Sequence, residues 1–290
     1  SHAVHGQYFP SGLRKSPCAP FGSFPCKAKT STRFVMKSTV RFAAFADTHY
    51  ADRDHDQVRY YRNSLEKLQD ILIRVQPYQP DFIICLGDLI DVGKNKGSAI
   101  AGLGRIKALL DQSDSPFYLA LGNHDVSAMP REALLSRFHL NQRGYGSFDM
   151  KSRHFVVLDT NYAQDGLAYT SETMVWDRCY VDPAQLAWLE EDLCATAFPT
   201  TVFAHANLNP RQQGAALDPH VVINHAQVRR VLEASGKVRL VLQGHCHAGH
   251  YSAVKGIEYR TLKAVVDGER DNYAQVYLLA NDSYRVIDLY

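Results

Sequence analysis

The chain has 290 residues, 46% of them hydrophobic, which is enough to bury a sizeable core in one large domain or two small ones. The formal net charge is +2, but residues 1–46 hold seven Lys/Arg and no Asp or Glu, leaving 25 basic against 30 acidic residues in 47–290. The main body is thus mildly acidic, with no basic patch of the kind nucleic acid requires. No apolar stretch approaches the ~20 residues needed to cross a bilayer.

Residues 1–36 mix Pro, Ser, Gly and Cys with scattered Phe and show no sustained period of 2 or 3.6. They read as a disordered leader or an upstream extension, without the apolar run of a secretory signal. Residues 37–290 read as one domain. A strand at 40–46 ends in Asp47-Thr48-His49. A helix is predicted at about 57–75, where Leu65, Leu68, Ile71, Leu72 and Val75 recur at helical spacing and Pro77 and Pro80 end it. The apolar run Phe82–Leu86 has the length of a strand covered on both faces, and Gly87-Asp88-Leu89-Ile90-Asp91 follows. A helix at about 99–111 leads to a strand at 117–121 and then Gly122-Asn123-His124-Asp125. A short helix near Pro130 and a hairpin of 145–150 with 153–158 come next. After an irregular segment at 160–182, Asp182-Pro183 opens a helix to about Ala195. The strand 200–204 ends at His205, and residues 206–223 form a long loop. A helix at 224–235 stops at Gly236, and a strand at 238–243 ends in Gly244-His245-Cys246-His247. The remaining segments, 251–254, 257–262, 273–279 and 284–289, suggest an antiparallel meander.

Five strand ends therefore carry carboxylates, an amide and imidazoles. In open α/β sheets, sites form at the carboxyl ends of strands, so the five stretches can converge although they span some 200 residues. Carboxylates suit manganese, magnesium or iron; imidazole suits zinc, iron and manganese. Asp88, at the head of a loop, is a natural bridging carboxylate, and Asn123 offers a neutral amide oxygen, an uncommon ligand.

The order D-x-H, G-D-x-x-D, G-N-H-D, H, G-H-x-H resembles the calcineurin-like metallophosphoesterase superfamily over roughly residues 40–250. That resemblance implies a four-layer αββα sandwich, an α/β fold of two mixed sheets with outer helices. It implies Asp47, His49, Asp88 and His247 around one metal ion, and Asp88, Asn123, His205 and His245 around a second. His124 would be the catalytic imidazole with Asp125 as its partner, and Asp91 would stand behind the ligands. Manganese is the first choice of metal, with iron, zinc or magnesium as alternatives. The implied reaction is attack of a metal-bound hydroxide on phosphorus in a small-molecule phosphoester.

Within the superfamily, Asp47–Asp52 followed by Arg59–Leu65 is similar to the manganese-dependent ADP-ribose/CDP-alcohol diphosphatases. His49 is the commoner choice of the wider superfamily, as in cyclic-nucleotide phosphodiesterases and phosphomonoesterases, and these stay open as alternatives. A non-catalytic protein-binding scaffold is the third reading, disfavoured by the full ligand set. Tyr50, Arg59 and Arg62 are candidate substrate contacts, and Trp176 and Tyr169 serve equally well as pocket wall or core. His55, His139, His154, His220, His225 and His250 read as surface, helix-end or core residues. Six cysteines without framework spacing indicate reduced thiols and hence a cytoplasmic location.

Overall fold

The computed structural model describes residues 39–290 except 94, 95, 139, 141, 142, 211, 214, 215, 281 and 282. The leader expected at 1–36 and His139 lie outside the described residues. In chain order the elements are β1 (Val40–Phe45), α1 (Ser64–Val75), β2 (Phe82–Cys85), α2 (Lys96–Leu110), β3 (Phe117–Leu119), α3 (Asn123–Ala128) and α4 (Arg131–Arg137). There follow β4 (Gly146–Met150), β5 (Arg153–Val157), α5 (Pro183–Ala195), β6 (Thr200–Phe203), β7 (Gln212–Gln213), β8 (Ala216–Leu217) and α6 (His225–Ser235). The chain closes with β9 (Val238–Gln243), β10 (Ala248–Val254), β11 (Ile257–Lys263), β12 (Ala274–Ala280) and β13 (Ser283–Leu289).

Side-chain alternation in the strands sets the layers. On β1, Phe42 and Ala44 face one side and Ala43 and Phe45 the other, all of them buried. Such two-sided burial needs cover on both faces. One sheet runs β13-β12-β1-β2-β3 and the other β10-β11-β9-β6-β5-β4. Between them Phe42 stacks on Phe82 at 4.9 Å and meets Phe155 and Phe203 edge-on. Leu68 and Ile71 of α1, Leu103 and Ile106 of α2 and Leu134 of α4 cover the outer face of the first sheet. Leu189 and Leu193 of α5 with Val228 and Leu232 of α6 cover the second. The expected sandwich of two mixed sheets between helices is the fold found.

Three local expectations differ. The first helix starts at Ser64, not near 57, because backbone bonds tie the segment before it elsewhere. Arg59 N donates to Asp56 O at 2.9 Å, and Tyr60 N donates to Val266 O at 2.9 Å. The short helix α3, which the sequence pattern did not indicate, begins at Asn123. The C-terminal strands do not form one meander. β10 and β11 join the second sheet, with β11 parallel to β9, whereas β12 and β13 join the first, with β12 antiparallel to β1. Tyr277 of β12 stacks on Phe42 at 4.9 Å, so its place is in the central layer.

Asp182 caps α5 as expected, accepting from Ala184 N at 2.8 Å and Gln185 N at 3.2 Å. Gly236 ends α6 in the left-handed region at φ 64°. Cys85, Cys179 and Cys246 are buried and free, and Cys194 is exposed. No described helix is long and apolar enough to cross a membrane.

His154 is a buried structural histidine that gives the fold a pH dependence. Its Nδ1 lies 2.6 Å from Asp149 Oδ1 and its Nε2 2.8 Å from Asp192 Oδ2. Burial works against protonation, but the two carboxylates outweigh it and the ring is held above its ordinary value. A raised folded pKa stabilises fully below the unfolded value of about 6.5 and loses that contribution as pH rises through the folded value. The urea midpoint of the wild-type chain should therefore exceed that of His154→Gln most at about pH 6. The gap should close as pH rises; a gap independent of pH would contradict the assignment.

Candidate metal centre

The strands β1, β2 and β3 run parallel in one sheet, as do β6 and β9 in the other, so each motif leaves its sheet at a carboxyl end. Backbone bonds draw these ends together. Asp47 N donates to Gly87 O, Gly244 N to His205 O, Val265 N to Ala46 O and Val266 N to Asp47 O, each at 3.0 Å. The turns are tight. Asp47, His49, Asp88 and His245 all sit at positive φ, between 46° and 70°. A non-glycine residue there costs about 1–3 kcal/mol and persists only where its surroundings fix it. Gly244 lies so close to its neighbours that a Cβ would fall 2.8 Å from both Asp47 Oδ2 and Leu86 O.

Two groups of donor atoms result, and they share one oxygen. In the first, His49 Nε2 lies 3.2 Å from His247 Nε2, and each is 3.9 Å from Asp47 Oδ1. In the second, His205 Nε2 lies 2.9 Å from Asn123 Oδ1 and 3.1 Å from His245 Nδ1. Asp88 Oδ2 stands between them, 3.4 Å from His49 Nε2 and 3.3 Å from His205 Nε2.

The far nitrogens of three rings decide what these groups can hold. His49 Nδ1 donates to Asp91 Oδ2 at 3.2 Å, His247 Nδ1 to Asp267 Oδ1 at 2.9 Å, and His205 Nδ1 to Leu86 O at 2.8 Å. With Nδ1 carrying the hydrogen, each neutral ring presents a lone pair at Nε2. His49 and His247 then aim lone pairs at each other, and His205 aims one at two oxygens. Only an added proton or a bound cation can supply the missing positive charge. A cation with ligand bonds of about 2.0–2.2 Å, as divalent manganese, magnesium or zinc forms, fits donor atoms at these spacings. The residues present therefore fit two divalent ions.

The electrostatics agree. Burial pushes the Asp47 carboxyl up to about 6. Burial opposes a charge on His205 too, yet the Asp88 carboxylate beside it raises that ring to about 9, so the pocket demands positive charge. Burial and His124 lower His49 to about 4, and burial and His205 hold His245 well below the usual range. Both rings stay neutral, as metal ligation requires.

His124 stands beside the first group, half-exposed, its ring 4.5 Å from that of His49. Its expected partner, Asp125, turns away. At the third position of α3, Asp125 accepts from Gly122 N and Ile90 N, each at 3.0 Å, which ties down the helix start. Asp91 takes the place instead, with Oδ1 3.1 Å from His124 Nδ1 and Oδ2 on His49. Burial works against a charge on His124, and Asp88 and Asp91 outweigh it and raise the ring.

The candidate substrate contacts divide. Tyr50 is buried against α2, its hydroxyl accepting from Arg105 at 2.8 Å, and does not line the site. Arg62 is exposed and paired with Asp52 at 2.7 Å and Asp54. Arg59 is near enough to His124 to act on its charge. Tyr169 is core, whereas Trp176 and His220 stand beside His245, with ring centroids 5.9 and 5.0 Å away. His250 is exposed on β10.

Asp267 and Lys67 lie outside every motif. Lys67, buried on α1, donates from Nζ to Val265 O at 2.7 Å, Asp267 O at 3.0 Å and Gly268 O, and so fixes the turn that carries Asp267 to His247. Carboxylates in this position set a ligand's tautomer and basicity. Asp267→Asn should weaken manganese binding about 10- to 100-fold, measured by titrating chelated protein and following activity. Unchanged affinity would show that His247 needs no such support.

The family described as calcineurin-like phosphoesterase matches residues 40–249. A manganese-dependent ADP-ribose/CDP-alcohol diphosphatase of Arabidopsis thaliana is 23% identical over 286 residues, covering 83% of this chain and 91% of its own. One of the same name from Oryza sativa subsp. japonica is 25% identical over 268 residues, covering 78% and 83%. The crystal structure of a dimetal phosphatase from Danio rerio superposes with a TM-score of 0.71 at 19% identity, covering 86% of this chain and 95% of that one.

Proposed function

The chain belongs to the calcineurin-like phosphoesterase family and is a hydrolase of phosphoester bonds, and from that premise we propose that it cleaves the diphosphate of nucleoside diphosphate-linked metabolites such as ADP-ribose or CDP-alcohols. The observation that carries a metal-dependent reaction is the pair of opposed lone pairs of His49 and His247, 3.2 Å apart, beside an Asp88 oxygen shared with the second group. Asp47, His49, Asp88 and His247 would hold one divalent ion, and Asp88, Asn123, His205 and His245 the other. The mixed oxygen and nitrogen donors suit manganese, and also iron, zinc or magnesium. Such a pair, when bound, supplies an acidified water as nucleophile and neutralises charge on the phosphoryl oxygens. The substrate class rests on the names of the two plant relatives, which cover most of this chain.

The chain's own residues supply positioning and the proton. Asp91 holds both His49 and His124 in orientation through its two oxygens. His124, which Asp88 and Asp91 raise against its burial, is placed to deliver a proton to the departing oxygen. Arg59, near enough to act on the charge of His124, would offer positive charge to the leaving phosphate. Asp125 serves the backbone that places Asn123 and His124.

A substrate panel after chelation and manganese reconstitution tests the proposal, with ADP-ribose, CDP-choline, cyclic AMP and an aryl phosphate. The diphosphates should turn over fastest. Preference for cyclic AMP or the aryl phosphate would transfer the assignment to the phosphodiesterase or phosphomonoesterase reading, which His49 favours. No turnover with metal bound would leave the scaffold.

A further inference from the structure

The two ends of the centre are chemically unlike. At one end Arg59 is near enough to His124 to act on its charge. At the other, Trp176 lies with its ring 5.9 Å from His245 and 5.5 Å from His220. His220 packs edge-on to His245 at 5.0 Å, and its Nδ1 is held 2.7 Å from Asp218 Oδ1. Trp176 is 47% exposed, and Val175 next to it is 44% exposed. What sets this indole apart from other exposed apolar side chains is its place beside two histidine rings of the centre, where its free area is open to a ligand.

The exposure does not come from a loose segment. Cys179 Sγ donates to Trp176 O at 3.3 Å, Arg178 N donates to Val175 O at 3.1 Å, and Tyr169 Oη donates to Arg178 O at 3.2 Å. Two buried side chains, Cys179 and Tyr169, thus fix the turn that presents the ring. The indole stands one imidazole away from the second donor group, about the reach of a single sugar. Asp218, behind His220, makes this end unfavourable for a further anionic group.

We propose that Trp176, backed by His220, is a stacking platform for the nucleobase of a nucleoside 5′-phosphoryl substrate whose phosphate sits on the second donor group. The proposal rests on the reading of the centre as a phosphoester site and adds the part of the substrate recognised. It sets the substrate's direction: the base lies over Trp176, and the leaving group points to His124 and Arg59. A base on an aromatic ring contributes about 5- to 150-fold in affinity and tolerates any base, since each has a π-face. Both adenine and cytosine compounds would be accepted.

The test compares AMP with ribose 5-phosphate, the same phosphate and sugar without the base, by calorimetry on the full manganese-loaded chain. The wild type should bind AMP about tenfold or more tighter. Trp176→Ala should bring the ratio of the two affinities close to one, and Trp176→Phe should restore part of it. Equal affinities in the wild type, or an undiminished ratio in Trp176→Ala, would overturn the platform. Absence of binding by either compound would do the same. Failure of the reaction assigned above looks different. A chain that prefers AMP through Trp176 but turns over no diphosphate keeps the platform and loses the reaction. One that cleaves ADP-ribose with the same KM in Trp176→Ala keeps the reaction and loses the platform.

Discussion

Asp88→Asn should lower turnover by about a thousandfold or more and leave the fold intact. The substitution isolates charge from shape. Asp88 Oδ1 accepts from His124 N at 2.7 Å, and the asparagine amide oxygen can keep that bond, so the start of α3 stays in place. Asp88 Oδ2 lies within 3.4 Å of one imidazole nitrogen in each group, His49 Nε2 and His205 Nε2. Replacing it with a neutral amide removes half a unit of negative charge from each group, together with the link that spaces them. Bound manganese should fall below the wild-type amount, and activity should not return at high manganese. Near-normal turnover with normal metal content would show that the two groups act independently.

His124→Ala should cost about 10²- to 10⁴-fold on an alkyl phosphate ester and less on ADP-ribose. The difference follows from the leaving group. An alkoxide needs a proton as the bond breaks, whereas a departing phosphate carries its own charge at neutral pH. The ring is well placed for the alkoxide. Asp91 holds its Nδ1 at 3.1 Å, which leaves Nε2 as the nitrogen that meets the substrate. Asp91→Asn would disturb His49 along with His124, because one carboxylate serves both. It should therefore lower metal affinity as well as turnover, whereas His124→Ala should lower turnover alone. Equal losses on both substrates in His124→Ala would remove the acid role from His124.

What was legible in the sequence was what local chemistry determines. Each motif follows an apolar run of strand length, and parallel strands bring their carboxyl ends to one side, so the stretches that converge could be named before any coordinate was known. The unread parts depend on contacts between distant segments. Asp125 sits next to His124 in sequence, but at the third position of α3 the orphan N–H groups of Gly122 and Ile90 claim its carboxylate. Asp91 reaches His124 across the loop instead. Tyr50 follows the donor residues directly, yet the backbone turn at His49, with φ at 46°, sends the next ring into the core. Asp267 and Lys67 belong to no motif and meet through the turn after β11. The one available signal was Ala264-Val265-Val266-Asp267, an apolar run followed directly by a carboxylate, as Ala46 is by Asp47. Trp176 lies in an irregular segment whose course is set by Cys179 and Tyr169, and no period reports that. The split of the last four strands between the sheets was equally hidden, because a hairpin has the same alternation in either sheet.

The most direct measurement is a titration of the chelated 290-residue chain with manganese, following bound metal and ADP-ribose hydrolysis together. Two ions should bind per chain, and hydrolysis should reach its full rate only with the second equivalent, because Asp88 serves both groups. Saturation at a single ion, or two ions bound without hydrolysis of any phosphoester, would contradict the account.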